Sequence, residues 1–155
     1  MTIKGVTMRV FSVLGLFVAL GLFMAGSDHV ETLVETRAKA EQGDAVAQFD
    51  LGWMYDKGKG VPQDDEQAAA WYLKSAEQGN AKAQFDLGWM YDKGSGVPKD
   101  YAQAYMWVNL AAAQGNENTI KFSDFAVKSF TPSQIEEGQR LAREWLAAHP
   151  QARGE

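Results

Sequence analysis

QFDLGWMYDKG, Gln48 to Gly58, returns unchanged as Gln84 to Gly94, thirty-six residues later. Extending the comparison to Ala40–Ser75 against Ala76–Ala111 gives 24 identities in 36 positions without a gap. A third start, AAAQGN, falls in register at Ala111 to Asn116. A fixed period of this length marks a stacked repeat, in which one unit cannot bury its own apolar face and needs a neighbour. The chain therefore reads as a modular array.

Each unit reads as two helices. Helix A spans about Ala45 to Lys57, with Asp44 as N-cap and Gly58 as the left-handed residue that ends it. Gly60-Val61-Pro62 turns the chain, because proline bars helical continuation. Helix B then runs from about Asp65 to Gln78, capped by Asp64 and closed by Gly79. Asn80, Gly94, Gly96, Pro98 and Asp100 hold the same posts in the second copy. Two helices of this length joined by a short turn make an antiparallel hairpin.

At 100° per residue helix A carries two stripes. Ala45, Gln48, Leu51, Gly52 and Tyr55 lie on one side, with Gly52 permitting close approach to helix B through Ala68, Trp71 and Tyr72. Val46, Phe49, Trp53, Asp56 and Lys57 lie on the other, repeated as Lys82, Phe85, Trp89, Asp92 and Lys93. Phe49, Trp53, Phe85 and Trp89 have two readings: anchors in a binding groove, or filling of the seam between neighbouring repeats.

The pattern A-x-A-Q-x-x-L-G-x-x-Y-x-x-G-x-G-V-x-x-D-x-x-x-A-x-x-W, followed by A-x-Q-G, resembles the Sel-one-like repeat, a cousin of the tetratricopeptide repeat. The match covers Ala40 to Asn116. The stretch from YAQAYMWVNLAAAQGN through TPSQIEEGQRLAREW is also similar to the carboxy-terminal ending of bacterial members. The resemblance implies an all-α, right-handed solenoid whose A helices line a concave surface used for protein contacts, with no enzyme activity. On that analogy Phe49, Trp53, Asp56, Lys57, Phe85, Trp89, Asp92 and Lys93 form the partner-binding face.

Terminal repeats expose apolar faces unless capped. Val30–Gln42, with Leu33, Val34, Ala38 and Ala40, is expected to cover the first unit. Past Asn116 the repeat decays into an A-like helix with Ile120, Phe122, Phe125, Ala126 and Phe130. Thr131-Pro132-Ser133-Gln134 is a capping box with proline at the first helical position. The helix it opens presents Ile135, Leu141, Ala142, Trp145 and Leu146 as a lid and ends near Ala148, leaving a frayed tail from Pro150. The expected organisation is a signal peptide or membrane anchor at 1–27, a capping helix at 28–42, repeats at 43–78 and 79–114, a degenerate repeat with its cap at 115–150, and a tail at 151–155.

Lys4 and Arg9 precede Val10–Ala25, an apolar run of sixteen residues interrupted only by Ser12 and two glycines. That is short for a span of about twenty residues and suits a signal peptide, with Ala25-Gly26-Ser27 as the small residues before cleavage. The expected location is the bacterial periplasm, free or anchored, with any membrane contact through this segment alone. Residues 28–155 hold 13 basic and 20 acidic side chains, which argues against nucleic acid or an anionic membrane surface as partner. The expected partner is a protein peptide or helix. Expected function is that of an adaptor or regulator of envelope proteins, with peptidoglycan binding or trimming as the alternative.

No site chemistry stands out. The chain has no cysteine, so thiolate metal sites and cysteine nucleophiles are excluded. His29 and His149 lie in terminal segments without a partner at ligand spacing, and read as solvated. Gly58-Lys59-Gly60 and Gly94-Ser95-Gly96 follow helices and lack the strand and the Gly-Lys-Ser/Thr ending of a phosphate loop. Asp50, Asp56, Asp86 and Asp92 are tied to the repeat by duplication, whereas a catalytic carboxylate pair needs two environments. No catalytic residue, metal or cofactor is expected.

Overall fold

The computed structural model describes residues 27–115 and 118–153, and among them all regular structure is helical. The expected signal segment lies outside the described residues. The chain divides between Glu35 and Thr36 into two units, the second holding the repeats. In order, α1 is Ser27–Glu41, α2 Ala45–Lys57, α3 Asp65–Glu77, α4 Ala81–Lys93, α5 Tyr101–Ala113, α6 Thr119–Ser129 and α7 Pro132–Ala148, followed by a 3₁₀ turn at Pro150–Arg153.

The caps set these limits. Asp44 and Asp64 accept from the backbone N–H of Ala47 and Gln67, satisfying donors that a first turn leaves unpaired. Asn80 and Asp100 do the same for α4 and α5. Gly58 and Gly94 end the A helices at φ of 65° and 70°, where a side chain would be strained. Both halves of the capping box between Thr131 and Gln134 are formed at the start of α7.

Each A helix pairs antiparallel with its B helix, so the end of one meets the start of the other. Ser75 Oγ donates to Ala45 O at 2.6 Å, and Asp64 N to Tyr55 O at 3.0 Å. The helices cross at glycine. A Cβ on Gly52 would stand 2.7 Å from the Tyr72 ring, and one on Gly88 2.5 Å from Val108 and 3.0 Å from Ala104 O. Leu51, Ala68, Tyr72, Ala76, Leu87 and Leu110 are among the residues buried by this packing. Each large aliphatic member contributes about 1.5–3 kcal/mol through removal from water.

One polar device ties the repeats together. Gln48 Nε2 donates to Ala40 O at 3.1 Å and its Oε1 accepts from Gln78 Nε2 at 2.7 Å. Gln84 repeats the arrangement with Ala76 O at 3.1 Å and Gln114 at 2.9 Å. The Gln of A-x-A-Q is therefore a buried staple from helix A to the helix before it and to the end of its own hairpin, a role its position in the first stripe did not disclose.

The array is closed by α7, which packs on α5. Trp145 meets Trp107 edge-on at 6.0 Å, and Gly138 seats the helix against Tyr105 and Ala102 O. Phe122, Ala126 and Phe130 of the degenerate stretch join Ala104 and Val108 in a second core. At the other end Ala40 is buried and Arg37 Nη2 donates to Tyr55 Oη at 3.0 Å, whereas Val34 and Ala38 are exposed. Two details depart from expectation. Pro150–Arg153 forms a 3₁₀ turn instead of a frayed end, with Ala152 beside Gly79. His149 is stacked on Trp145 at 4.2 Å, with Nδ1 2.8 Å from Trp145 O, rather than freely solvated.

Candidate functional site

The outer stripe of helix A occurs twice in sequence but in two environments. In the second copy Trp89 is packed: its ring stacks on Phe125 at 6.1 Å and meets Phe122 edge-on at 5.4 Å, with Phe85 at 6.4 Å on its own helix. Lys93 Nζ lies 5.0 Å above the Trp89 ring and 5.5 Å from that of Phe125, and pairs with Asp92 at 2.9 Å. Asp92 is only 3% exposed. Here the stripe is a seam between α4 and α6.

In the first copy Trp53 is 38% exposed, and with Val46 it belongs to the few exposed large apolar side chains among the described residues. Lys59 Nζ sits 5.5 Å from its ring. Phe49 turns inward onto Tyr72 at 5.6 Å. Lys57 pairs with Asp56 at 2.8 Å at the surface. The expected residues thus divide: Trp53, Asp56 and Lys57 stand at an accessible edge, Phe49 is half inside the hairpin, and Phe85, Trp89 and Asp92 belong to the second seam.

The cause lies thirty-six residues apart. Phe122 and Phe125, which cover Trp89, correspond in the repeat to Asp86 and Trp89. Where the second seam receives a phenyl ring the first receives a carboxylate, and a carboxylate does not close over an indole as a phenyl ring does. Val108, which lines the second seam, corresponds to Tyr72. The first seam therefore holds Asp56, Tyr72 and Asp86, and the second Asp92, Val108 and Phe122. The first carries two carboxylates and leaves Trp53 accessible; the second carries one, Asp92, enclosed beside Phe122 and Val108.

The electrostatics of the first seam follow from this. Burial pushes the Asp86 carboxyl up to about 6; the Asp56 charge adds to the effect and Lys57 opposes it. Tyr72 is 1% exposed; burial raises its phenol, the charges of Asp86 and Asp56 and a hydrogen-bonding interaction with Asp56 add to the effect, and its Oη makes no hydrogen bond of good geometry. Among the described residues, Asp86 makes no hydrogen bond or ion pair. Lys57 is held by Asp56, whose hydrogen bond raises the lysine above its usual range. Midway along α2, burial also raises Asp50, against the attraction of Lys82. Duplication in sequence therefore did not produce equal surroundings for the four aspartates.

The sequence weighed Asp86 only as one of four duplicated aspartates and Tyr72 only as a packing partner of Gly52, and placed neither on the partner-binding face. The usable signal was present: at Asp86 the next repeat carries Phe, so the two seams could not pack alike.

Among known proteins, a family model described as Sel1 repeat matches residues 45–80 and 81–116. No curated protein matches the chain. Among solved structures, a protective antigen of uropathogenic Escherichia coli strains displaying an SLR fold is similar over 79% of this chain, with 35% identity and a TM-score of 0.74. A Sel1 repeat protein from Oxalobacter formigenes is similar over 56% of it, with 46% identity and a TM-score of 0.55. The chain spans 27% of the first of these proteins and 65% of the second. Sel1 repeats are typically non-catalytic scaffolds that mediate contacts between proteins, built as α-solenoids.

Proposed function

We propose that this chain, a Sel1-repeat protein, is a non-catalytic interaction module that holds a peptide or helix of another protein on the face built by its A helices. The observation that carries this reading is the contrast between two tryptophans of identical repeat position: Trp89 is packed by Phe122 and Phe125, while Trp53 is 38% exposed beside polar groups. A few residues supply most of the energy of protein interfaces, and tryptophan is among the types enriched there. The binding edge is centred on Trp53, with Asp56 and Lys57 orienting the ligand, and Phe85, Trp89 and Asp92 support it from inside the array.

The module acts in the bacterial envelope, exported by the segment Val10–Ala25 and serving as an adaptor or regulator of other envelope proteins. A photoreactive residue at Trp53 in cells tests both parts, with one at the buried Trp71 as control. The expected result is a discrete envelope protein captured at Trp53 and not at Trp71. Equal capture at both positions, or none at Trp53, overturns the reading.

A further inference from the structure

Resting on that reading of the Trp53 edge, we infer that the first seam receives a basic side chain of the partner, an arginine, between the Trp53 ring and the acidic edge formed by Asp56, Tyr72 and Asp86. Three groups favour such an occupant. Asp86 is a half-buried carboxylate without a hydrogen bond or ion pair among the described residues. Tyr72 Oη is buried between the charges of Asp86 and Asp56, where Asp56 is its hydrogen-bonding neighbour but no contact of good geometry is formed. Buried polar groups are normally satisfied, so a phenol and a carboxylate held side by side in a seam favour an occupant that donates hydrogen bonds. Trp53 supplies the third element, an indole accessible to solvent.

The chemistry narrows the occupant. A carboxylate wants a donor, a phenolic oxygen can accept or donate, and an indole face attracts a cation. A guanidinium meets all three at once, since it is planar, carries five N–H donors and stacks on aromatic rings. The protein's own cations leave Asp86 unpaired: Lys57 forms its ion pair with Asp56 at the surface, and Lys59, 5.5 Å over the Trp53 ring, is an exposed side chain that the guanidinium would displace or join there. Both copies pair the aspartate after the tryptophan with the next lysine, but in the second copy Phe122 stands where the first has Asp86, so only the first seam is left with a further carboxylate to satisfy. Charge complementarity supports a basic partner, because residues 28–155 carry 20 acidic against 13 basic side chains.

The test is a selection from a phage-displayed library of helical peptides on the full chain, followed by binding titrations of the clones. Clones enriched in arginine are expected, binding about tenfold more weakly to Asp86→Asn and to Trp53→Ala. Combining Asp86→Asn with Arg→Gln in the peptide is expected to cost less than the two separate losses multiplied, because both remove one contact. Glu66→Gln, which removes the same charge from an exposed position on α3, is expected to leave binding unchanged. If Glu66→Gln weakens binding as much as Asp86→Asn, only overall charge is acting and the inference is overturned. Trp53-dependent clones without basic residues, or clones indifferent to Asp86→Asn, overturn the arginine assignment while leaving the groove reading intact. If no clone depends on Trp53 although Trp53→Ala keeps the helical circular dichroism, both readings fall.

Discussion

Replacing Asp86 with asparagine should stabilise the protein at neutral pH and leave it unchanged in acid. The carboxyl rises from 3.8 to about 6 in the folded chain, chiefly through burial. A gap of about two units is worth about 3 kcal/mol, and partial solvent access at the seam screens this to about 1–2 kcal/mol. The folded state holds its proton more tightly than the unfolded one, so it binds more protons between the two values. Stability attributable to Asp86 is then fully present below about pH 4, declines as pH rises to about 6, and stays lost above it. Asparagine keeps the neutral shape at every pH and removes that decline. Urea unfolding followed by helical circular dichroism, at about pH 4 and about pH 7.5 and constant ionic strength, reads the difference between the two proteins directly. The variant should be more stable by about 1–2 kcal/mol at the higher pH and nearly equal at the lower one. An equal difference at both pH values, or a variant less stable at neutral pH, would refute the assignment of an uncompensated carboxylate.

Three further outcomes follow from the packing. Trp89→Ala should lower stability by about 2–4 kcal/mol in thermal or urea unfolding, because it empties a site lined by Phe122 and Phe125, whereas Trp53→Ala should cost under about 1 kcal/mol. Equal costs would show that the two seams are packed alike. Gly88→Ala should destabilise by about 1–3 kcal/mol, although alanine is the better helix former by about 1 kcal/mol, since its Cβ would press on Val108 and Ala104 O. A melting temperature that rises instead would mean the hairpin can open at its crossing. Gln84→Leu should cost about 1–3 kcal/mol by leaving Ala76 O and Gln114 Nε2 unpaired, measured by denaturant unfolding; a neutral result would mean that water replaces the staple.

Much of the architecture was legible because its signals are local. Asp44, Asp64, Asn80 and Asp100 cap through their own side chains, Gly58 and Gly94 end helices through their own φ, and Thr131 with Gln134 closes a box within one turn. The close crossing at Gly52 against Ala68 and Tyr72 was also readable, because both partners lie in one hairpin of known spacing. The Gln48 and Gln84 staples were hidden, since each reaches a backbone carbonyl that no letter of the sequence marks. The choice between groove and seam for the aromatic stripe could not be read from the stripe itself, because both copies carry the same residues.

The sequence by itself determined the repeat, its helices and their ends, and the all-α class, for these depend on period, caps and breakers within a few residues of one another. Only the tertiary structure decided that Trp53 stays accessible while Trp89 is covered, and that Asp86 sits half-buried beside Tyr72 and Asp56. Burial belongs to whatever packs across a seam, and the residue across it comes from the next repeat. There Phe122 stands in the place of Asp86 and Val108 in the place of Tyr72, so two identical stretches meet unlike neighbours and acquire different chemistry.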